Sequence, residues 1–480
     1  MGRFRDPNAT DMTLVRNALA ILTGRPGADA RHPGPDLRIG ADGRIAALGR
    51  LAPEPGEETL DAGGCVVYPA WVNTHHHLFQ SVMKGDPDGI DATLTPWLSA
   101  TPMRLRPHMD EAMFRTAARV GLVELALSGC GTVADHNYHY FPRMPFDGSA
   151  ILFEEAEALG LRFALCRGGG TLSRVPEAEA PPAARPETLD GFLADIERLA
   201  SRFHDPAPDG MRRIVVAPTT PAHSMHPEEL RACAEHARRL GLHLHSHLNE
   251  TVSYHDMVHE RHAMKPVHFC ETIGWLGPDV WFAHLVHLDP DEIALLGATR
   301  SGISYCAQSN GRLGSGIAPV RELEAAGAQV SIGVDGAASN EAADMISETH
   351  AAWLMQRAKA GEASCAVHRG GHGEGDAAAA ATIEDVVRWG SAGGAAVLGL
   401  GAVGTLAPGM SADLAVYDLS RDPRYFGLLD PAIGPVASGG AARLKALYVA
   451  GRTIVRDGQL PGVDLDALGR EAAAAVARLR

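Results

Sequence analysis

Residues 227–247 read PEELRACAEHARRLGLHLHSH, an amphipathic segment of helical length followed by a short alternating one. In the first part, apolar residues recur with the spacing of a helix that covers one side of a core. In the second part, Leu242 and Leu244 alternate with histidines, which is the period-two pattern of a β-strand. The stretch therefore predicts a helix over Pro227–Leu240 and a strand near 242–247.

The same alternation extends through most of the middle of the chain. Seven further strands are predicted near 66–71, 131–135, 162–166, 213–217, 280–284, 302–306 and 329–334. Helices are predicted between them, among them Glu111–Leu127, Ile151–Leu159, Pro290–Leu296 and Met345–Lys359. Eight strand–helix units are typical of a (β/α)8 TIM barrel in the α/β class. A doubly wound open sheet has the same alternation and is the structural alternative.

The two ends of the chain resemble each other and differ from the middle. Short β segments broken by Gly and Pro are predicted at Met12–Ile21, Asp36–Gly40, Arg44–Leu48, Asp413–Tyr417 and Ala446–Ala450. They predict a small, discontinuous β-sandwich domain over 1–66 and 400–480, with a terminal helix over Glu471–Arg480. The barrel domain is then 67–399. Two segments of biased composition are predicted to be exposed loops: 178–186 and 361–381.

Composition excludes several classes of protein. The 480 residues are 45% hydrophobic and 21% charged, which suits a soluble protein with a large core. A net charge of −15 argues against nucleic acid or an anionic membrane as partner. No run of about 18 apolar residues predicts a membrane span, and no apolar stretch follows the N-terminal arginines as in a secretory signal. Seven scattered cysteines predict no disulfide framework and a cytoplasmic location.

Histidine is unusually frequent, with 23 copies, and several lie where strands end. Functional side chains of a TIM barrel sit at the C-terminal ends of its strands. Four predicted strands run into residues that can bind a metal: His75-His76-His77, His247, His284 and Asp335. Taken alone, each has a structural alternative without function, such as a surface cluster, an interior polar residue or a residue that forms a turn. Together they predict a site, because only a fold that gathers strand ends could unite residues so far apart.

The residue types at these strand ends indicate a divalent metal ion. Neutral imidazoles with one carboxylate suit zinc. His75 and His77 are two apart and point the same way in extended chain, whereas His76 points elsewhere. A catalytic zinc lowers the pKa of bound water toward about 7. Glu250, three residues after His247, could shuttle a proton between that water and a leaving group. Its structural alternative is a carboxylate at a helix N-terminus.

Several segments resemble the amidohydrolase superfamily, in its cytosine-deaminase-like branch, and the resemblance covers essentially the whole chain. They are Pro69–His77, His245–Glu250, Ala283–His284, Gln308–Asn310, Gly333–Gly336 and, in the terminal domain, Gly409–Leu414. The resemblance implies one Zn2+ per chain, with Fe2+ as the alternative, held by His75, His77, His247 and Asp335. It also implies that His284 bonds water or substrate, that Glu250 delivers protons, and that Asp335 doubles as a base.

Other segments narrow the resemblance to deaminases of oxidised rings. His75–Gln80, Ala92–Leu98 and Ala134–Tyr138 are similar to both the 8-oxoguanine and the isoxanthopterin deaminases. Met144–Asp147, Ser149–Ala156, Arg167–Gly169 and Met345–Glu348 are closer to the latter. This implies hydrolysis of the 2-amino group of isoxanthopterin, giving 7-oxylumazine and ammonia, and a homo-oligomer. The alternatives are deamination of 8-oxoguanine, guanine or a thioadenosine, triazine hydrolysis, and a non-catalytic scaffold.

Four side chains are candidates for binding such a flat, amide-rich heterocycle. Gln80 could pair with a ring amide, donating and accepting at once. Arg167 could bond a ring carbonyl through its planar fork, and a local carboxylate is its alternative partner. Tyr138 and Tyr140 could stack on the ring or bond its edge, or lie in the core or at the rim. The predicted partner is thus a small-molecule pterin or oxidised purine.

Overall fold

The computed structural model describes residues 12–172, 185–367 and 380–479, except for the side chains of 363–367. The strands are β1 (Thr13–Arg16), β2 (Ala20–Leu22), β3 (Arg31–His32), β4 (Asp36–Ile39), β5 (Ile45–Gly49), β6 (Glu58–Asp61), β7 (Cys65–Pro69), β8 (Trp71–Asn73), β9 (Cys130–Asn137), β10 (Arg162–Arg167), β11 (Arg212–Val216), β12 (His243–Leu248), β13 (Val280–His284), β14 (Gly302–Tyr305), β15 (Gln329–Ile332), β16 (Leu414–Asp418), β17 (Leu444–Val449) and β18 (Arg452–Arg456).

The α-helices of the described ranges follow in the same chain order. They are α1 (Leu94–Ala100), α2 (Pro102–Leu105), α3 (Glu111–Leu127), α4 (Gly148–Leu159), α5 (Leu189–Phe203), α6 (Pro221–Ser224), α7 (Pro227–Arg239), α8 (Val252–His262), α9 (Pro266–Thr272), α10 (Pro290–Thr299), α11 (Ala307–Arg312), α12 (Val320–Ala326), α13 (Ala337–Asn340), α14 (Met345–Val367), α15 (Ile383–Arg388), α16 (Gly394–Val397), α17 (Gly434–Ser438) and α18 (Leu465–Leu479). A 3-10 helix, Leu78–Val82, follows the first barrel strand.

Strands β8 to β15 form one parallel sheet of eight strands, each paired with the next along the chain. The sheet closes on itself between its first and last strands. The Thr74 amide donates to the Ile332 carbonyl at 3.1 Å, and the Asp335 amide donates to the His75 carbonyl at 2.9 Å. The predicted TIM barrel is therefore confirmed, and the doubly wound open sheet is excluded.

The predicted position of the first barrel strand, 66–71, is wrong. Most of that run is β7, which pairs with β16 and β2 outside the barrel. Only Trp71–Asn73 pairs with β9 inside the barrel. The apolar run passes from one sheet to the other at Ala70, whose amide donates to the Asp413 carbonyl at 3.0 Å. Hydrophobic periodicity identifies a buried strand but not the sheet that it joins.

The two ends of the chain contribute two further sheets. One has the order β5-β4-β1-β6, and the other has the order β18-β17-β16-β7-β2-β3. Apolar side chains from both sheets are buried in one cluster, with Val15 and Leu37 from the first and Val67, Val416 and Tyr448 from the second. The first sheet comes from the N-terminal part alone and the second from both ends, and the two sheets pack face to face. The predicted boundary between 66 and 67 falls within β7, and the domain limits remain a prediction.

The structure has a helix at each predicted position, but the ends of several helices are shifted. The helix over Glu111–Leu127 is α3 from end to end. Helix α4 begins earlier than predicted, because the carboxylate of Asp147 caps it by accepting from the Ala150 amide at 3.0 Å. Helix α18 also begins earlier, and α14 continues through 361–367, where a loop was predicted. The rest of that predicted loop over 368–379, and 178–184 of the other, lie outside the described residues.

None of the described helices combines the length and apolar character that a membrane span requires. The six cysteines with described side chains are all buried and free, so no disulfide joins them.

Candidate metal centre and active site

The carboxyl ends of three barrel strands bring four predicted side chains to one point. His75 and His77 follow β8, His247 lies near the end of β12, and Asp335 follows β15. The Oδ1 atom of Asp335 lies 3.3 Å from Nε2 of both His75 and His77. One ligand atom from each of the four residues lies within 4.8 Å of the others. The fold thus unites residues that the sequence separates widely.

Hydrogen bonds on the outer side of two imidazoles decide where their protons sit. His77 Nδ1 donates to the carbonyl of His136 at 2.7 Å, and His247 Nδ1 donates to the carbonyl of Thr219. A carbonyl can only accept, so both Nδ1 atoms carry hydrogen, and in this tautomer of the imidazole Nε2 is a lone pair. These two Nε2 atoms face each other at 3.2 Å, and neither has a proton to share.

His75 reaches the same state through a second histidine. Its Nδ1 lies 2.8 Å from Nε2 of His245, and Nδ1 of His245 lies 3.0 Å from the Trp281 carbonyl. The carbonyl requires the proton on Nδ1 of His245, so Nε2 of His245 accepts from His75. His75 Nε2 is then left as a buried lone pair with no hydrogen-bond partner among the described residues.

Asp335 adds an anionic oxygen to these three lone pairs. Its Oδ1 accepts from the Gly336 amide at 2.7 Å, and its Oδ2 accepts from Ser309 Oγ at 2.6 Å. Burial lowers the pKa of His75 and of His247, so both rings are neutral at pH 7. Without a cation between them, four electron-pair donors that converge with no shared proton would repel one another. The set fits a divalent cation of the zinc type.

Glu250 and His284 lie side by side next to this cluster. Glu250 Oε2 is 3.6 Å from His284 Nε2. The Asn310 amide donates to His284 Nδ1 at 3.0 Å, so Nε2 carries the proton and presents an N–H. Burial, with the negative charge of Asp335, raises the pKa of Glu250 to about 8. A carboxyl group of this pKa can both give and take a proton near neutral pH.

The backbone at three of these strand ends is left-handed. Asn249, His284 and Asp335 have φ values of 52°, 80° and 63°. Residues other than glycine rarely adopt this conformation, and it persists only where the surrounding structure imposes it. Here the Asn249 carbonyl is fixed by the amides of Val286 and His287, at 2.9 and 3.1 Å. The loop after β13 therefore holds the turn after β12.

Two of the predicted substrate-binding side chains lie beside the histidine cluster. Gln80 is fully buried, and its Nε2 donates to the Tyr138 hydroxyl at 2.8 Å. The Tyr138 ring lies 4.8 Å from the His77 ring, measured between centroids. With its amide nitrogen held by Tyr138, Gln80 keeps a buried Oε1 that has no hydrogen-bond partner in the described part of the chain. This oxygen can accept a hydrogen bond from a ring N–H.

The other two predicted substrate-binding side chains form a separate group. Arg167 donates through Nη1 and Nη2 to Glu187, at 2.7 and 2.6 Å, and through Nε to Asp195 at 2.9 Å. The guanidinium lies 3.8 Å from the centroid of the Tyr140 ring, and these four residues line a cavity of about 670 Å³. Arg167 thus has the carboxylate partners that the sequence left open as its alternative. Its contact with substrate stays a prediction.

Sequence reasoning missed the hydroxyl and amide groups that hold the site together. Ser309 and Asn310 bond Asp335 and His284, and both belong to the segment Gln308–Asn310, which was available as a signal. Ser315 Oγ donates to Glu250 at 3.4 Å, and nothing in its sequence context indicates this.

Glu348 is a further buried carboxyl group that the sequence did not identify. It accepts from the backbone amide of Gln308 at 3.2 Å and from the side-chain amide at 2.8 Å. Burial raises the pKa of Glu348 to about 8. The two hydrogen bonds from Gln308 to Glu348 hold the first turn of α11, the helix that carries Ser309 and Asn310.

Comparisons with known proteins identify the family of this chain and its relatives. The amidohydrolase family matches residues 66–454. An isoxanthopterin deaminase from an unknown prokaryotic organism is 62% identical over 470 residues, 97% of each chain. The 8-oxoguanine deaminase of Pseudomonas aeruginosa is 38% identical over 97% of this chain and 98% of its own. A zinc complex of atrazine chlorohydrolase from Arthrobacter aurescens TC1 superposes with a TM-score of 0.86 at 26% identity, covering 97% of this chain and 100% of that one.

Proposed function

The chain belongs to the amidohydrolase family, and on that premise we propose that it is a metal-dependent deaminase of a flat, amide-rich heterocycle. His75, His77, His247 and Asp335 would hold one divalent cation, with Zn2+ as the first candidate and Fe2+ as the second. The observation that carries the proposal is the convergence of three imidazole lone pairs and one carboxylate oxygen, with no proton between them. The cation would supply Lewis-acid activation of the attacking water.

The remaining groups of the site would manage the protons. Asp335 accepts a proton from the water as its oxygen attacks the ring carbon that bears the amino group. Glu250, whose pKa is raised by burial, gives its proton to the ring nitrogen, then takes the proton of the new hydroxyl group and passes it to the departing amine. The proton that Asp335 accepted returns to Glu250, which restores both carboxyl groups. The Nε2–H of His284 holds the attacking oxygen or the substrate. The products are the oxo ring and ammonia.

Isoxanthopterin is the substrate that we propose, with 7-oxylumazine as the product. The relative at 62% identity carries that activity in its name, and the relative at 38% makes 8-oxoguanine the second candidate. Gln80, with its unpartnered Oε1, and Tyr138 beside it would bond the edge of the ring. Tyr140 and Arg167 would contribute through the cavity that they line.

A substrate panel tests this function most simply. Ammonia release is measured with isoxanthopterin, 8-oxoguanine, guanine and cytosine, on protein whose zinc content has been determined. We expect one zinc per chain and the highest kcat/KM with isoxanthopterin. A reversed ranking would overturn the substrate assignment, and protein that turns over none of the rings would overturn the deaminase itself.

We propose a homo-oligomer in the cytoplasm, with the terminal β-sandwich domain at 1–66 and 400–480 and the barrel at 67–399. The free, buried cysteines of the described part agree with a reducing compartment. Light scattering of the purified protein tests the oligomeric state.

A further inference from the structure

We infer that His245 is a positioning residue that fixes the tautomer and orientation of His75, and through it the proposed metal site. The inference rests on the proposed function, because it assumes a cation at His75. Both imidazoles are fully buried. The hydrogen bond between them, 2.8 Å from Nδ1 of His75 to Nε2 of His245, lies on the side of His75 that faces away from Asp335.

The three histidines of the proposed site differ in what their outer nitrogens bond. His77 and His247 donate directly to backbone carbonyls, whereas His75 donates to another imidazole. An imidazole accepts on one nitrogen only if its other nitrogen carries the proton, and the Trp281 carbonyl imposes that tautomer on His245. His245 thus links His75 to a backbone carbonyl, the same kind of acceptor that His77 and His247 bond directly.

This relay decides whether His75 can bind a cation. If His245 did not accept from Nδ1, the proton of His75 could move to Nε2. It would then point at the Asp335 oxygen 3.3 Å away and occupy the lone pair that the cation needs. Outer partners of metal-bound histidines act in this way, by holding the tautomer and the ring orientation.

Trp281 also prevents the His245 ring from turning away. Its indole stacks on the imidazole, with ring centroids 4.6 Å apart and an interplanar angle of 21°. Its Nε1 donates to the carbonyl of Thr74 at 3.2 Å, one residue before His75. One tryptophan therefore supplies the carbonyl that sets the tautomer, the face that holds the ring, and a bond to the strand end that carries His75.

A second metal ion is the competing interpretation of the same side chains. Ligand atoms of His75, His136 and His245 also lie within 4.8 Å of one another. An ion there would require His75 to lose its Nδ1 proton and become an anionic bridge between two cations. The observed hydrogen bond uses that proton instead, so we favour the relay.

The test compares two amides at position 245. In His245→Gln, the amide oxygen lies near the place of Nε2 and can accept from His75. In His245→Asn, the shorter side chain can bond the Trp281 carbonyl but does not reach His75. The control is His243→Asn on the same face of the same strand, where the ring bonds the Val397 carbonyl at 2.9 Å. Zinc affinity of the full-length, metal-free protein is measured by competition with a chromophoric chelator.

We expect His245→Asn to bind zinc about 10–100-fold more weakly than the unaltered protein. His245→Gln should retain most of the affinity, and the control should match the unaltered protein. Unchanged affinity in His245→Asn, an equal loss in His245→Gln, or two zinc ions per chain would overturn the inference. If His245→Asn does not fold, a weakened His245→Gln is the contradicting result. Unaltered protein that binds no zinc would instead contradict the proposed function.

Discussion

Replacing Glu250 with glutamine removes the proposed proton carrier while preserving its shape. The side chain is 11% exposed, and its neighbours are His284 at 3.6 Å and Ser315 at 3.4 Å. The amide oxygen of glutamine can also accept hydrogen bonds from these two neighbours. Glu250 is not among the four ligands that we propose, so the variant should retain one zinc per chain. It should lose proton transfer to the ring nitrogen and to the leaving amine.

The expected loss follows from the value of a placed acid or base. General acid–base catalysis contributes about 10²–10⁴-fold, which is about 3–5 kcal/mol of barrier. We therefore expect kcat of Glu250→Gln to fall by about that factor, with zinc content unchanged. The assay is ammonia release from isoxanthopterin, with metal analysis on the same preparations. Turnover like that of the unaltered enzyme would refute the proton role.

The pH profile provides an independent reading of the same residue. Glu250 must be protonated to act as an acid, and burial raises its pKa to about 8 in the metal-free chain. A bound cation favours the carboxylate, so kcat/KM should fall as pH rises, from a point no higher than about pH 8. Glu250→Gln should lack this limb. A profile in which both proteins lose activity at the same pH would assign the limb to another group.

Three further predictions concern stability and substrate binding. The pKa of Glu250 rises from 4.5 to about 8 on folding, so ionising this side chain destabilises the folded state as pH rises. In urea unfolding at pH 8, the free energy of unfolding of metal-free Glu250→Gln should therefore be higher than that of the unaltered chain by up to about 4 kcal/mol. That advantage should shrink toward zero near pH 4, and a constant difference would contradict the linkage. Arg167→Met leaves Glu187 without its partner and Asp195 with Arg198 alone, so it should lower the free energy of unfolding by about 3 kcal/mol in thermal unfolding. A raised KM at unchanged stability would instead favour a substrate contact. Gln80→Leu removes a buried acceptor and should raise KM for isoxanthopterin by about tenfold with zinc retained, and an unchanged KM would exclude the ring contact.

The sequence predicted the barrel because its strands are short, apolar and regularly separated by helices. β12, predicted near 242–247 and observed at His243–Leu248, shows how closely period-two alternation marks a strand. The failure at β7 and β8 has a different cause. Cys65 to Asn73 is almost continuously buried, and pairing partners distant in sequence, β16 and β9, decide which part joins which sheet. Local pattern carries no information about such partners.

The candidate site was predictable to the extent that strand ends carry it. His75, His77, His247 and Asp335 each follow or end a strand, so the fold alone gathers them. The segment Gln308–Asn310 was a signal for two of the groups that hold them, but their partners could not be predicted because they come from neighbouring elements. His245 illustrates the limit: alternation places it inside the barrel, but only the structure shows that His75 is its partner.

Anomalous X-ray diffraction at the zinc absorption edge shows directly whether one cation sits between these four side chains. We expect a single strong peak per chain within about 2.0–2.2 Å of Nε2 of His75, His77 and His247 and of a carboxylate oxygen of Asp335. Crystals of the zinc-loaded protein that show no peak there, or a peak bonded to other residues, would contradict it.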